Sequence, residues 1–250
     1  MKKIICLFAI FQISLILFAQ DFVGISYLRR TFNIKNGNES GTAFLVMYKG
    51  KDYLVTAKHL FKVHDSLFSI EVSQNDKWHP MQGKLFFHSN PSVDIAVLTS
   101  ISWDKAGGAI RLDTSDINEY LGDQGFFLGF PYGFQTKDAS GKLNSGFPIP
   151  LVKRATFSGS IIDDGVVILL FDGFNNPGFS GGPLLLKNRG NQGDKRFYVA
   201  GVISGYVNQI NSLLLFHSKD TLALNYVENS GIIRVVDARY IKEIIDKILF

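Results

Sequence analysis

Turn residues interrupt this chain every few positions, and the apolar runs between them are short and rich in Val, Ile, Phe and Tyr. Runs of that length and composition suit half-buried strands. One series occupies residues 22–28, 42–48, 53–57, 68–72, 84–87 and 95–99, with turns expected at Lys49-Gly50-Lys51 and Asn75-Asp76. A second occupies 125–130, 154–161, 166–171, 183–186, 197–203, 212–216 and 232–235, with turns at Asp163-Asp164-Gly165 and Lys187-Asn188-Arg189-Gly190. Only the tail reads as a helix: in 237–249, Ala238, Ile241, Ile244, Ile245 and Ile248 recur at three- and four-residue spacing behind Asp237 as N-cap. The polar stretch 104–123 divides the rest into halves of similar strand count. An all-β fold of barrel or sandwich type with one terminal helix is expected.

Residues 1–19 stand apart. Lys2 and Lys3 precede a run from Ile4 to Ala19 broken only by Gln12 and Ser14, and the chain turns polar at Gln20-Asp21. This is the layout of a secretory signal peptide, and the run is short for a membrane span. Leu17, third from the expected cut, departs from the small-residue preference, which leaves an uncleaved anchor as the alternative. The expectation is an exported protein, periplasmic or secreted, with no membrane contact once the leader is removed.

That segment also carries much of the mean hydropathy of +0.12, the only cysteine, Cys6, and two of the basic residues. The remainder has a net charge of about +2, too small a surplus to mark a nucleic-acid or anionic-lipid surface. Without cysteine it can form no disulfide, perform no thiol catalysis and hold no cysteine-ligated zinc. Its length is ample for a self-sufficient core. No pair of histidines has helical metal-ligand spacing beside an acid, so neither metal nor other cofactor is expected.

The segment richest in chemistry is Asn175-Asn176-Pro177-Gly178-Phe179-Ser180-Gly181-Gly182-Pro183. A serine hydroxyl is a weak nucleophile until a base takes its proton and backbone donors await the oxyanion. Flanking glycines let the chain turn tightly enough to supply both. Residues 178–182 fit the G-x-S-x-G pattern of the α/β-hydrolases, but that design needs a helix next, then an acid and a histidine. Here Pro183 opens a strand-like run and only His217 follows. A design with His first, Asp second and Ser last fits better.

Upstream the chain reads Gly41-Thr42-Ala43-Phe44, then Thr56-Ala57-Lys58-His59, then Asp94-Ile95-Ala96-Val97-Leu98. With G-F-P-Y-G at 129–133, P-G-F-S-G-G-P at 177–183 and G-V-I-S-G at 201–205, the order resembles the chymotrypsin/trypsin-like serine peptidases, most closely their disulfide-free bacterial branch of Deg-type and glutamyl endopeptidases. The resemblance runs from about Gly41 to Ile245. It implies two six-stranded antiparallel β-barrels with a C-terminal helix, residues 20–115 carrying His59 and Asp94 and residues 116–250 carrying Ser180. It further implies that His59 is the general base, that Asp94 orients it, that Ser180 is the nucleophile, and that the N–H groups of Gly178 and Ser180 form the oxyanion hole. The substrate implied is a polypeptide.

The same resemblance places a substrate pocket at Phe174, with walls from Ser204, Gly205, Tyr206 and Ser230-Gly231, Phe179 beside it, and Ser204 donating toward Asp94. No acidic residue stands at Phe174, so a preference for Lys or Arg is not expected. Phe179 replaces the Asp or Asn usual before the nucleophile. It either walls the cleft or marks a loop without catalytic geometry, as in an inactive binding relative; an esterase using the same serine is a further alternative. His64 is the nearest competitor for the base, while His79, His88 and His217 are expected to be structural or solvent-facing.

Overall fold

The computed structural model describes residues 21–61, 67–99, 109–112, 121–137, 144–188, 197–217 and 220–249. The expected leader, His64 and most of the dividing stretch 104–123 lie outside them. The first half contains β1 (Thr31–Asn36), β2 (Glu39–Tyr48), β3 (Lys51–Thr56), β4 (Leu67–Gln74), β5 (Lys77–Phe87), β6 (Ala96–Thr99) and the short β7 (Ile110–Arg111). The order β1-β4-β5-β6-β3-β2 closes into a ring because β1 also pairs with β2, and β7 adds to β2 in parallel. The second half contains β8 (Gln124–Gly129), β9 (Leu151–Asp163), β10 (Val166–Asp172), β11 (Pro183–Lys187), β12 (Phe197–His217) and β13 (Asp220–Asp237). These form a closed six-stranded barrel in the order β10-β13-β12-β11-β8-β9. Two rings and a C-terminal helix, α2 (Arg239–Ile248), make up the expected architecture.

Closure explains why the strands read as near-continuous apolar runs rather than alternating ones. Along β2, Ala43 and Leu45 fill the first ring with Ile34, Leu54 and Leu98. Phe44 and Val46 point the other way, into a shared cluster with Ile95, Val202, Ile241 and Ile245. Both faces of the pleat are therefore buried. The helix seals this cluster with Tyr240, Ile241, Ile244 and Ile245, each worth about 1.5–3 kcal/mol of burial. Asp237 supports the helix start, its Oδ1 accepting from Arg239 N at 2.8 Å, although Ala238 takes the cap position.

Three local expectations differ from the structure. Residues 22–28 contain a helical turn, α1 (Ile25–Leu28), not a strand. The turn lets buried Tyr27 reach β12, where its hydroxyl donates to Phe197 O at 3.1 Å and accepts from Phe197 N at 3.0 Å. Strand β1 was not legible because Asn33 and Asn36 dilute its pattern, and pairing on both edges supplies what propensity lacks. Finally, 197–203 and 212–216 belong to one strand. Register shifts at 203–205 and 206–208 bend β12 without ending it, and its hairpin with β13 continues past the barrel.

Candidate active site

Strand β3 ends at Thr56, and Ala57 leads into one 3-10 turn, Lys58–Leu60, that lifts His59 out of the first ring. Leu60 points back into the core, leaving the His59 side chain 43% exposed. Asp94 lies two residues before β6, between buried Val93 and Ile95. Those neighbours anchor the loop by packing, and the carboxylate reaches the turn. Its Oδ1 accepts the His59 backbone N–H at 2.8 Å, and its Oδ2 faces His59 Nδ1 at 2.7 Å. Lys58 ties the same segments again, its Nζ donating to Pro91 O at 2.6 Å.

The bond to Asp94 is the main reason the His59 pKa stands above its ordinary value. Burial opposes it, and the charges of Asp94 and Glu39 reinforce it. A raised folded-state pKa means that the pairing stabilises the fold while pH lies below the unfolded value of about 6.5. That contribution is lost as pH rises through the folded value. Imidazole NMR is expected to show His59 titrating above about 6.5 and falling back in Asp94→Ala; titration at or below 6.5 in the wild type would contradict the pairing.

Ser180 lies in the connection between β10 and β11. Gly178 has φ +103°, and a Cβ there would come within 2.3 Å of Phe130 O; Gly181 has φ +83°, and a Cβ would meet Thr42 O and Thr56 Oγ1 at 2.2 Å. Only glycine fits either position. The close approach seats the loop on the first ring. Thr42 N donates to Ser180 O at 2.8 Å, Thr42 Oγ1 donates to Gly178 O at 2.7 Å, and Thr56 Oγ1 donates to Thr42 O at 2.7 Å. Gly181 abuts Ala57, two residues before His59, and Gly41 is wedged between Leu60 and Ser180 O. The segments that carry His59 and Ser180 thus meet at one seam between the rings; Asp94 and His59 are bonded, and among the described residues no hydrogen bond joins the Ser180 and His59 side chains.

The loop is closed by Phe179 N donating to Asn176 O at 3.2 Å and Gly182 N to Phe179 O at 2.8 Å. Gly181 N donates to Ile203 O at 2.8 Å, and Ile203 N returns a bond to Gly182 O at 3.0 Å. Among the described residues, no protein acceptor takes the N–H of Gly178 or Ser180, the two amides expected to face an oxyanion.

Phe179 does not wall the cleft, and the expectation for it is corrected. Its side chain is 0% exposed, inside the second barrel with Phe157, Phe171 and Leu184, and 4.8 Å from the Phe127 ring. Phe179→Ala is expected to cost about 3–5 kcal/mol, read as a fall in Tm of roughly 6–20 °C. An unchanged Tm would contradict this placement.

Around Phe174, 54% exposed, the loop is bound to both expected walls. Gly173 N donates to Gly231 O at 2.8 Å, Asn175 Nδ2 to Gly205 O at 3.0 Å, and Asn229 Nδ2 to Asn175 O at 2.5 Å. Ser204 is corrected as well: its Oγ donates to Arg234 O at 3.3 Å, across to β13, rather than to Asp94. Tyr206 pairs with Ile233 in the same ribbon. His88 is structural, its Nε2 meeting Glu243 of α2 at 2.9 Å, and His79 Nε2 lies 3.1 Å from Gln74 O.

The sequence assigns no role to Thr42, Lys58 or Asn175, although all three lie inside its motifs. It had no signal for the open groove of about 850 Å³ beside His59, lined by Asn36, Glu39, Phe61, Gln82 and Leu85.

No protein-family model and no curated protein matches the sequence. Solved structures do. A serine-to-alanine mutant of Rv3671c from M. tuberculosis H37Rv, in an inactive form, aligns with TM-score 0.54 and 17% identity over 89% of this chain and 88% of that one. The inactive form of the Rv3671c protease gives 0.53 and 16% over 89% and 90%. The serine endoprotease from Yersinia pestis gives 0.54 and 18% over 91% of this chain and 67% of that one. With one closed six-stranded barrel, a second closed ring and a C-terminal helix, and with 89–91% of its length aligned to these structures, the chain has the chymotrypsin-like double-barrel fold.

Proposed function

We propose that the chain is a serine endopeptidase that cleaves polypeptides through His59, Asp94 and Ser180. The observation that carries this reading is the double grip of Asp94 on His59, backbone and Nδ1 together, beside a glycine-framed serine loop seated on Thr42. Asp94 holds the proton on Nδ1, so Nε2 is the basic nitrogen. Nε2 takes the Ser180 Oγ proton as Oγ attacks the scissile carbonyl, and the oxyanion is met by the N–H groups of Gly178 and Ser180. The imidazolium gives that proton to the departing amine as the C–N bond breaks. Water then loses a proton to His59 as it attacks the acyl carbon, and the imidazolium returns that proton to Ser180 Oγ as the acyl C–O bond breaks and the acid leaves.

Residues 20–115 supply the base and its partner, and residues 116–250 the nucleophile. The pocket around Phe174, Ser204, Gly205, Tyr206 and Gly231 suits an apolar or small side chain and offers no acid for Lys or Arg. Export through the leader at 1–19 belongs to the same reading. The binding-only alternative rested on Phe179, for which burial in the barrel supplies a packing role.

A fluorophosphonate probe is expected to label the wild type at Ser180, and mapping of new N-termini in a peptide library to show internal cleavage. A folded wild type that takes no label would overturn the reading. Labelling with turnover of short acyl esters but of no peptide would replace the endopeptidase with an esterase.

A further inference from the structure

Lys153 stands on β9, opposite Phe127 of β8 in the barrel register. Its ammonium reaches three residues of the segment that leads into Ser180. Nζ donates to Phe174 O and to Asn176 Oδ1, the latter at 3.1 Å, and lies 5.6 Å from the centroid of the Phe179 ring. The rings of Phe174 and Phe127 are each 5.7 Å away. One cation is thus held by two oxygens and three aromatic faces. Among the described residues no carboxylate pairs with it.

That arrangement is unusual for a lysine that only packs. Desolvation lowers its pKa, so the charged form is disfavoured where it sits. Charge-assisted hydrogen bonds and cation–π contacts offset such a cost, and apart from Phe127 of β8 every partner here lies on a single short loop. Other bonds fix the backbone at Gly173, Asn175 and Pro177, whereas Lys153 touches Phe174, the side chain of Asn176 and the ring of Phe179. Asn176 is the relay: its backbone O accepts from Phe179 N, its Oδ1 accepts from Lys153, and its Nδ2 lies 3.4 Å from Tyr132 Oη. The direction of the Gly178 and Ser180 amides depends on the peptide planes at 176–179, so whatever holds Asn176 and Phe179 also sets those amides.

We propose that Lys153 is a positioning residue, an internal cationic clamp that orders residues 174–179 and thereby aims the Gly178 and Ser180 amides without any charge entering from outside the barrel. The proposal rests on the reading of Ser180 as nucleophile, and its test keeps the two separable.

In the full chain, Lys153→Ala and Lys153→Met are compared with wild type by the rate of fluorophosphonate labelling of Ser180 and by hydrogen exchange of peptides covering 174–182. Both variants are expected to label about tenfold more slowly or worse, with faster exchange confined to that loop. Millimolar ethylammonium is expected to restore Lys153→Ala saturably, whereas ethanol does not. Met fills the stem space without the charge, so it is not rescued. It also carries the test should the alanine variant fail to fold. Labelling within about twofold of wild type by either variant overturns the clamp, as does equal rescue by ethanol. If the wild type itself takes no label, the nucleophile reading fails. The clamp is then judged by exchange alone: unchanged loop exchange in Lys153→Met overturns it, and faster exchange confined to 174–182 supports it.

Discussion

Ser180→Ala is expected to lower kcat for peptide cleavage on the order of 10⁶-fold while leaving the fold and KM in place. The loss is large because no acyl-enzyme can form, and what remains is the help that binding and the oxyanion donors give to a direct attack by water. The fold is spared because the loop is anchored by other atoms: Ser180 O on Thr42 N, Gly178 O on Thr42 Oγ1 and Gly181 N on Ile203 O. Single-turnover hydrolysis of a fluorogenic peptide, together with a thermal melt, checks both halves. A variant that melts like the wild type yet keeps more than about 1% of its activity would mean that another group is the nucleophile.

Asp94→Asn is expected to cost about 10⁴-fold in kcat/KM at neutral pH. The carboxylate serves two donors of the same residue, His59 N–H and Nδ1–H. An amide has the same shape but only one oxygen. If that oxygen stays on the backbone N–H, its NH₂ faces Nδ1 and drives the imidazole proton to Nε2, where it blocks proton removal from Ser180. If the amide flips, NH₂ meets the backbone N–H and the turn loses its anchor. The first arrangement removes the base and the second leaves it poorly held, and in both the His59 pKa is expected to drop because the carboxylate that raises it is gone. The rising limb of kcat/KM against pH therefore moves to lower pH as the plateau falls. Retention of more than about a tenth of the activity would show that Asp94 does not orient the base.

The β-rich barrel-or-sandwich character was legible because its determinants are local, whereas the double barrel came from the resemblance carried by the motif order. Short β-branched and aromatic runs and turns at Lys49-Gly50 and Asn75-Asp76 dictate hairpins, with Lys49, Asn75 and Asp76 all at positive φ. The helix was legible from its period, and the motif order pointed to His59, Asp94 and Ser180. Residues 22–28 were misread because a short apolar run suits a strand or a helical turn equally. The bonds of Tyr27 to Phe197, a partner from the other half of the chain, favour the turn.

The side on which each motif residue lies was not legible. Phe179 and Ser180 are neighbours, yet one is buried in an apolar barrel and the other lies at the seam between the rings, because Gly178 and Gly181 turn the chain sharply between fixed points. Ser204 sits in the expected strand but bonds across the ribbon to Arg234. Thr42 and Lys153 reach the loop from β2 and β9; Thr42 lies inside a motif, but neither residue's sequence neighbours name its partner.

The sequence by itself determined that the chain is β-rich, free of cysteine beyond its first residues, and supplied with a histidine, an aspartate and a serine in a fixed motif order. Those properties follow from residue type and near-neighbour spacing. Only the tertiary structure decided that Asp94 grips His59 twice, that Phe179 is core, and that a buried threonine and a half-buried lysine bond to the serine loop. Each of these joins segments far apart in the chain, and such contacts become defined only when both rings close and their surfaces meet.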